Sequence, residues 1–270
     1  MKQVWQVIKE QFQYSFMMFR IARYEDKATY QNHYLGLLWQ ILNPLIQVGI
    51  YYAVFGVGLR AGRSIDSNVP FFVWLLIGII PWFFISGTIQ QAANSIFNKI
   101  NLVSKMKFPM SILPNITLVS NLTSYGVMMG FLMMILAWKG IYPSLHWIQY
   151  IYYFIAMVFF LFSFSILNST ISVLVRDYPL ILQSLLRVLF YVSGAIWQLD
   201  TSKFPAVVVN ILKLNPIVYL LDGFRETFLS EGWVTDHMGY NIYFWVVSFT
   251  LLFFGAILHM RFRERFVDFL

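Results

Sequence analysis

Six stretches of this chain run without a single carboxylate: residues 37–59, 71–93, 116–138, 147–175, 179–198 and 240–260. A helix rises 1.5 Å per residue, so crossing the hydrocarbon core of a bilayer takes about 20 mostly apolar residues. Each stretch reaches that length. The fold class that follows is all-α: a polytopic membrane protein with six transmembrane helices. Composition supports it. Of 270 residues, 59% are hydrophobic and 11% charged, whereas a soluble domain carries about 25% charged residues. So little charge cannot cover a water-exposed surface, which excludes an ordinary soluble enzyme. The chain has no cysteine, which removes disulfides, thiol catalysis and Cys-ligated metals.

The segment before the first stretch, residues 1–34, has a different pattern. Gln6, Lys9, Glu10, Gln11 and Gln13 break the apolar run that a secretory signal requires. Trp5, Ile8, Phe12, Phe16 and Phe19 recur at helical spacing, with Lys2, Gln6, Lys9, Gln13 and Arg20 opposite. This predicts an amphipathic surface helix, lying either in the membrane interface or on protein.

Between the fifth and sixth stretches, residues 204–221 are apolar but interrupted by Lys213 and by Asn215-Pro216. Each half is too short to cross. Proline lacks a backbone donor and disfavours helix in the residue before it, so the chain turns there. Two short re-entrant helices fit, dipping in from outside with Phe204 on the first arm. The alternative is a plain helical hairpin on the headgroups. Asp222 and Arg225 follow at a spacing that allows pairing.

With six crossings and the N-terminus inside, 12 basic residues fall on the cytoplasmic side and 6 outside. Each side holds 6 acids, so the +7 net charge is about +6 inside, with Arg187 in a span making up the rest. This asymmetry is the orientation signal that lysine and arginine provide, and it gives nucleic-acid binding no support. Both termini are expected in the cytoplasm. Trp74, Trp138, Trp147, Trp197 and Trp245 fall near outer span ends and Trp39 near an inner one, at the headgroup depth their rings prefer.

Catalytic signatures are missing. His33, His146, His237 and His259 are too scattered in sequence for a metal site, and no phosphate-loop motif occurs. No catalytic, cofactor or metal residue is assigned, and uphill transport would draw its energy from another subunit. Polar residues inside the spans are more informative. Gln40, Asn43 and Gln47 share one face of the first span. Gln183, Arg187, Tyr191, Gly194 and Gln198 form a stripe along the fifth. Such faces avoid lipid, either by hydrogen bonding between helices or by lining a path for a polar headgroup. Gly126 and Gly130 form one G-x-x-x-G, a helix-packing signal.

Two basic segments face the cytoplasm in this topology. Residues 94–110 predict a short helix, capped by Asn94 or Ser95 and ended by Pro109. Ile96, Ile100 and Val103 share a face, with Asn98, Lys99, Asn101 and Lys105 looking outward. It suits docking into a partner's groove or lying on headgroups. Arg20, Arg23 and Lys27 cluster before the first span, as orientation bias alone requires or as a recruiting site for a diphosphate headgroup.

Four segments together resemble the permease subunits of ABC-2 type exporters of polysaccharide and teichoic acid. They are Tyr34-Leu-Gly-Leu-Leu-Trp-Gln-Ile-Leu-Asn-Pro44, the run 98–114 (NKINLVSKMKFPMSILP), Val175-Arg-Asp-Tyr-Pro179, and Asn215-Pro-Ile-Val-Tyr219 with Phe224-Arg225. The runs 103–109, 140–144 and 259–270 most resemble the branch that exports wall teichoic acid. The resemblance implies one transmembrane domain over 1–270, with an interface region at 1–34, spans one to five at 37–198, external re-entrant helices at 203–228, span six at 240–260 and a tail at 261–270. It implies a homodimer of this chain in the plasma membrane with two copies of a separate ATPase subunit, which binds ATP and Mg. The substrate implied is a lipid-diphosphate-linked polymer, moved from the inner to the outer leaflet. By position, Ile96, Lys99, Ile100, Val103, Lys105 and Lys107 would couple to the ATPase. Gln40, Asn43, Gln47, Gln183, Arg187 and Tyr191 would flank the substrate path, and Phe204, Asn215, Pro216, Asp222 and Arg225 would form the external gate. Competing expectations are export of O-antigen or capsule polymers and, from another class, a membrane-embedded glycosyltransferase.

Overall fold

The computed structural model describes residues 2–30, 33–51, 53–54, 69–99, 109–199, 205–263 and 266. Its regular elements are helical: α1 (Lys2–Gln13), α2 (Ser15–Tyr30), α3 (Trp39–Tyr51), α4 (Phe71–Ala93), α5 (Ser95–Asn98), α6 (Leu113–Trp138), α7 (Gln149–Leu174), α8 (Tyr178–Val192), α9 (Ala206–Lys213), α10 (Pro216–Leu229) and α11 (Met238–Phe262), with short 3-10 turns between some of them. Proline marks several starts. Pro70 and Pro205 precede α4 and α9, while Pro114, Pro179 and Pro216 lie in the first turns of α6, α8 and α10. There the missing N–H would be unpaired anyway and the fixed φ suits helix entry.

The core is built around α4, which is apolar on every side and buried along most of its length. α6, α7, α8 and α10 pack against it, and α11 packs along α7. Rings from Phe84, Tyr125, Phe154, Tyr150 and Phe224 form a continuous chain through this core. One face of α11 remains bare: Ile242, Val246, Phe249 and Phe254 are all exposed. An apolar strip of that length requires lipid or another protein over it.

Among the described residues, four helical segments are long and apolar enough to cross a membrane: Phe71–Ala93, Met110–Trp138, Leu145–Leu174 and Val234–Phe262. The bent pair α9–α10 makes a fifth if counted as one span. The expected first and fifth spans are not among these four: α8 alone, at 15 residues, extends about 22 Å against a hydrocarbon core of about 30 Å, and α3 runs from Trp39 to Tyr51, where the continuous described stretch ends. α8 was expected to reach residue 198 but stops at Val192, because Gly194 turns into the left-handed region at φ 70°. The stripe beyond Tyr191 is therefore not helical.

The single amphipathic helix expected at the start is two, with a one-residue break at Tyr14 that the hydrogen-bond ladder bridges. α1 lies on α11 and α2 on α6. Val7 is buried beside Ile166, Leu252 and Ala256, and Met18 and Ala22 are buried beside Ile96, Ile112 and Ile116. Glu10 and Gln11 face protein rather than water: Gln11 Nε2 donates to the Ser111 carbonyl at 3.0 Å, and Arg263 pairs with Glu10 at 3.1 Å. The aromatic row is left outside, with Phe12 and Phe16 each 79% exposed.

At the opposite end, α9 and α10 meet at 96°. Asn215 caps α10 by accepting from the Ile217 amide at 3.0 Å, and Tyr243 Oη donates to the Leu214 carbonyl at 2.6 Å, fixing the elbow. α10 is core: Ile217, Leu220, Leu221, Phe224 and Phe228 are buried. α9 stays on the surface, with Val207 and Ile211 exposed.

Candidate functional site: a polar groove between three helices

Two successive helices, α3 and α4, and the remote α8 line a groove of about 410 Å³. α3 contributes Gln47 and Tyr51; α4 contributes Trp82, Phe83, Ser86, Gly87 and Gln90; α8 contributes Gln183, Leu186, Arg187, Phe190 and Tyr191. The two polar stripes read from sequence therefore converge: Gln47 comes from one, Gln183, Arg187 and Tyr191 from the other. Asn43 is exposed on α3 but does not line the groove. The Gln40 side chain lies outside the described residues.

Aromatic rings form one wall. Phe190 packs on Tyr51 at 5.1 Å and on Trp82 at 5.6 Å between ring centroids. Gln47, Ser86, Gln90, Gln183 and Arg187 supply the polar groups. Arg187 is exposed and makes no ion pair among the described residues. Gln90 Nε2 donates weakly to the Pro179 carbonyl at 3.4 Å, while its buried Oε1 has no partner among the described residues. An unpaired guanidinium beside amide groups and ring faces suits an anionic, hydroxyl-rich ligand: the cation takes phosphate oxygens, the amides hydroxyls, and the rings apolar sugar faces. Ser86 and Gln90 escaped the sequence reading, although their i, i+4 spacing beside Gly87 carries the same signal as the other stripes.

A second, basic groove of about 610 Å³ runs along α2, lined by Phe16, Phe19, Arg20, Arg23, Tyr24 and Lys27. The three expected headgroup cations thus share one surface. The acids of the same helix face the other way. Glu25 pairs with Lys99 at 2.9 Å, and Asp26 accepts from Ser120. Burial holds the Asp26 carboxyl above its ordinary range, against the lowering effect of that bond.

The segment after α4 gives a mixed result. α5 is one turn, and the Asn94 side chain does not cap it; Ser95 Oγ instead donates to the Ala92 carbonyl at 2.7 Å. Ile96, expected to face a partner, is fully buried under α2, while neighbouring Phe97 is exposed. The expectation missed this because α2 already covers that face. Lys99 is held by Glu25. Ile100, Val103, Lys105, Lys107 and Phe204 lie outside the described residues. Of the remaining gate residues, Asn215 and Pro216 form the elbow, and Asp222 stands 3.6 Å from Arg225.

Residues 18–229 match the model of the ABC-2 type transporter family. The chain belongs to that family. The O-antigen export system permease protein RfbA of Klebsiella pneumoniae is 27% identical over 259 residues, covering 93% of each chain. The protein of the same name from Myxococcus xanthus is 26% identical over 225 residues, covering 83% of this chain and 85% of its own. The polysialic acid transport protein KpsM of Escherichia coli is 23% identical over 245 residues, covering 89% and 90%. This ABC-2 permease is a multi-pass membrane protein, of a family whose permeases work with a nucleotide-binding ATPase.

Proposed function

We propose that the chain is the permease subunit of an ATP-driven exporter of a lipid-diphosphate-linked cell-surface polysaccharide, and that the α3–α4–α8 groove lies on the substrate path. The observation that carries this reading is the convergence of Gln47, Gln183, Arg187 and Tyr191 on one groove, in a chain whose relatives are named for polysaccharide export. The basic groove on α2 recruits the diphosphate end from the inner leaflet, and Arg187 meets it next. In this reading α3 and α8 complete six crossings, both termini are cytoplasmic, α1–α2 lie in the interface, and α9–α10 is a re-entrant external gate. Two copies of the chain work with two copies of the ATPase, which binds ATP and Mg, and residues 97–107, beyond the buried Ile96, dock onto it.

Wall teichoic acid is the finer substrate assignment. It rests on the sequence runs 103–109, 140–144 and 259–270, while the named relatives favour O-antigen or capsule polymers. The test is reconstitution with the partner ATPase in vesicles. ATP-dependent transfer of a lipid-diphosphate-linked teichoic acid to the far leaflet, faster than an O-antigen precursor, supports the finer assignment. The reverse preference replaces teichoic acid with O-antigen, and transfer of neither overturns the exporter reading. Changing Ile100 and Val103 to Asp should abolish co-purification of the ATPase, because an unpaired charge would enter an apolar contact.

A further inference from the structure

Arg225 is buried, at 5% exposure, in the middle of α10. A cation in such a place is costly unless hydrogen-bonded and paired. Its Nη2 donates to the carbonyls of Gly194 and Ala195 at 2.8 and 3.0 Å. The guanidinium lies 3.5 Å from the centroid of the Trp74 ring, and Asp222 supplies the counter-charge from one turn away at 3.6 Å. These contacts come from three elements: α4 gives the ring, α10 the carboxylate, and the buried turn that ends α8 gives both carbonyls. α4 is notched to admit the group. A methyl added at Gly78 would sit 2.2 Å from Nη2 and 2.9 Å from the Ala195 carbonyl.

We propose that Arg225 is a positioning residue that couples the α9–α10 hairpin to the groove, by clamping α10 to the turn at the end of α8. α8 carries Gln183, Arg187 and Tyr191, so the hairpin cannot shift without moving that turn or breaking the clamp. One guanidinium serves two buried carbonyls, and neither lysine nor methionine reproduces its planar fork over a ring. The functional half of this inference rests on the groove being the substrate path; the structural half does not.

The test uses the full, cysteine-free chain, spin-labelled through cysteines at the exposed positions Gln198 and Ser230, in complex with its ATPase in nanodiscs. The parent should give one narrow distance distribution. Arg225→Met should broaden it or add a second population, with Arg225→Lys doing so less. Gly78→Ala, which leaves the charge but displaces the guanidinium, should do the same and serves if Arg225→Met fails to fold. In matching vesicles, Gly78→Ala should lower polymer exported per ATP hydrolysed about tenfold, the effect of losing a charge-assisted hydrogen bond. Unchanged distances in these variants would overturn the clamp, whatever happens to export. Altered distances with export per ATP unchanged would overturn the coupling and leave a structural contact. If the parent complex exports no polysaccharide, the exporter reading fails separately, while the distance measurement still decides the clamp.

Discussion

Two arginines in the apolar body of this protein have opposite surroundings. Arg225 is buried among a ring face, two carbonyls and a carboxylate. Arg187 stands exposed in a groove with no ion-pair partner among the described residues. The first has a counter-charge and carbonyl partners for its Nη atoms inside the fold, though its Nε has no hydrogen-bond partner among the described residues, and it holds three elements together. The second has no counter-charge among the described residues and is open to an anion that enters the groove. The sequence placed Arg187 within a span and Arg225 on the external hairpin, and made each a functional candidate; their partners separate a clamp from a site.

The sharpest way to break this contrast is to remove each charge in turn. Arg225→Met should cost about 3 kcal/mol of stability by stranding buried carbonyls and Asp222, whereas Arg187→Met should stay within about 0.5 kcal/mol. Thermal unfolding of the two variants in the same detergent checks this, and equal losses would erase the distinction. The order should reverse for stimulation of the complex's ATPase by lipid-linked substrate. There Arg187→Gln should lose about tenfold with the fold intact, as expected when one charge-assisted contact to a phosphate disappears.

The basic groove on α2 extends the same logic to an exposed cluster. Neutralising Arg20, Arg23 and Lys27 together should weaken apparent substrate affinity a few-fold, and less at high salt, since exposed charges are screened. A loss that persists at high salt would place the groove among buried sites. The smallest effect belongs to the elbow. Tyr243→Phe removes the bond to the Leu214 carbonyl and should cost about 1 kcal/mol, measured as a shift in thermal midpoint, while leaving the Arg225 clamp intact.

How much of this was readable in the residues depends on whether a segment's neighbours matter. Residues 71–93 were bounded correctly because an uncharged run ending at a turn identifies itself. The hairpin was placed by Asn215-Pro216, a backbone constraint that acts locally. Asp222 and Arg225 were paired by helical spacing, but nothing local disclosed Trp74, Gly78 or the turn at Gly194, which lie far away in sequence. Gly194 also shortened α8: it adopts a left-handed φ, with the Leu199 side chain packed where a Cβ would stand, and neither fact is written in the local sequence. Ile96 shows the same limit from the other side. Periodicity identified its apolar face, but not that α2 would cover that face before a partner could. Glu10 and Gln11 entered only as breaks in an apolar run, because amphipathic patterns distinguish faces without saying which one meets protein. The two polar stripes were legible as stripes. Their meeting, with Ser86 and Gln90 between them, is a property of the packing of α3, α4 and α8.

The central claim is that this groove receives the anionic end of the substrate. A photoreactive residue at Gln183, on the groove wall, tests it against one at Ile242, on the bare apolar face of α11. With labelled lipid-diphosphate-linked polymer and the assembled complex, the account predicts a crosslinked adduct from position 183, little from 242, and a marked decrease at 183 when Arg187→Gln is added. Equal adducts from both positions, or an adduct at 183 that is indifferent to Arg187, would contradict it.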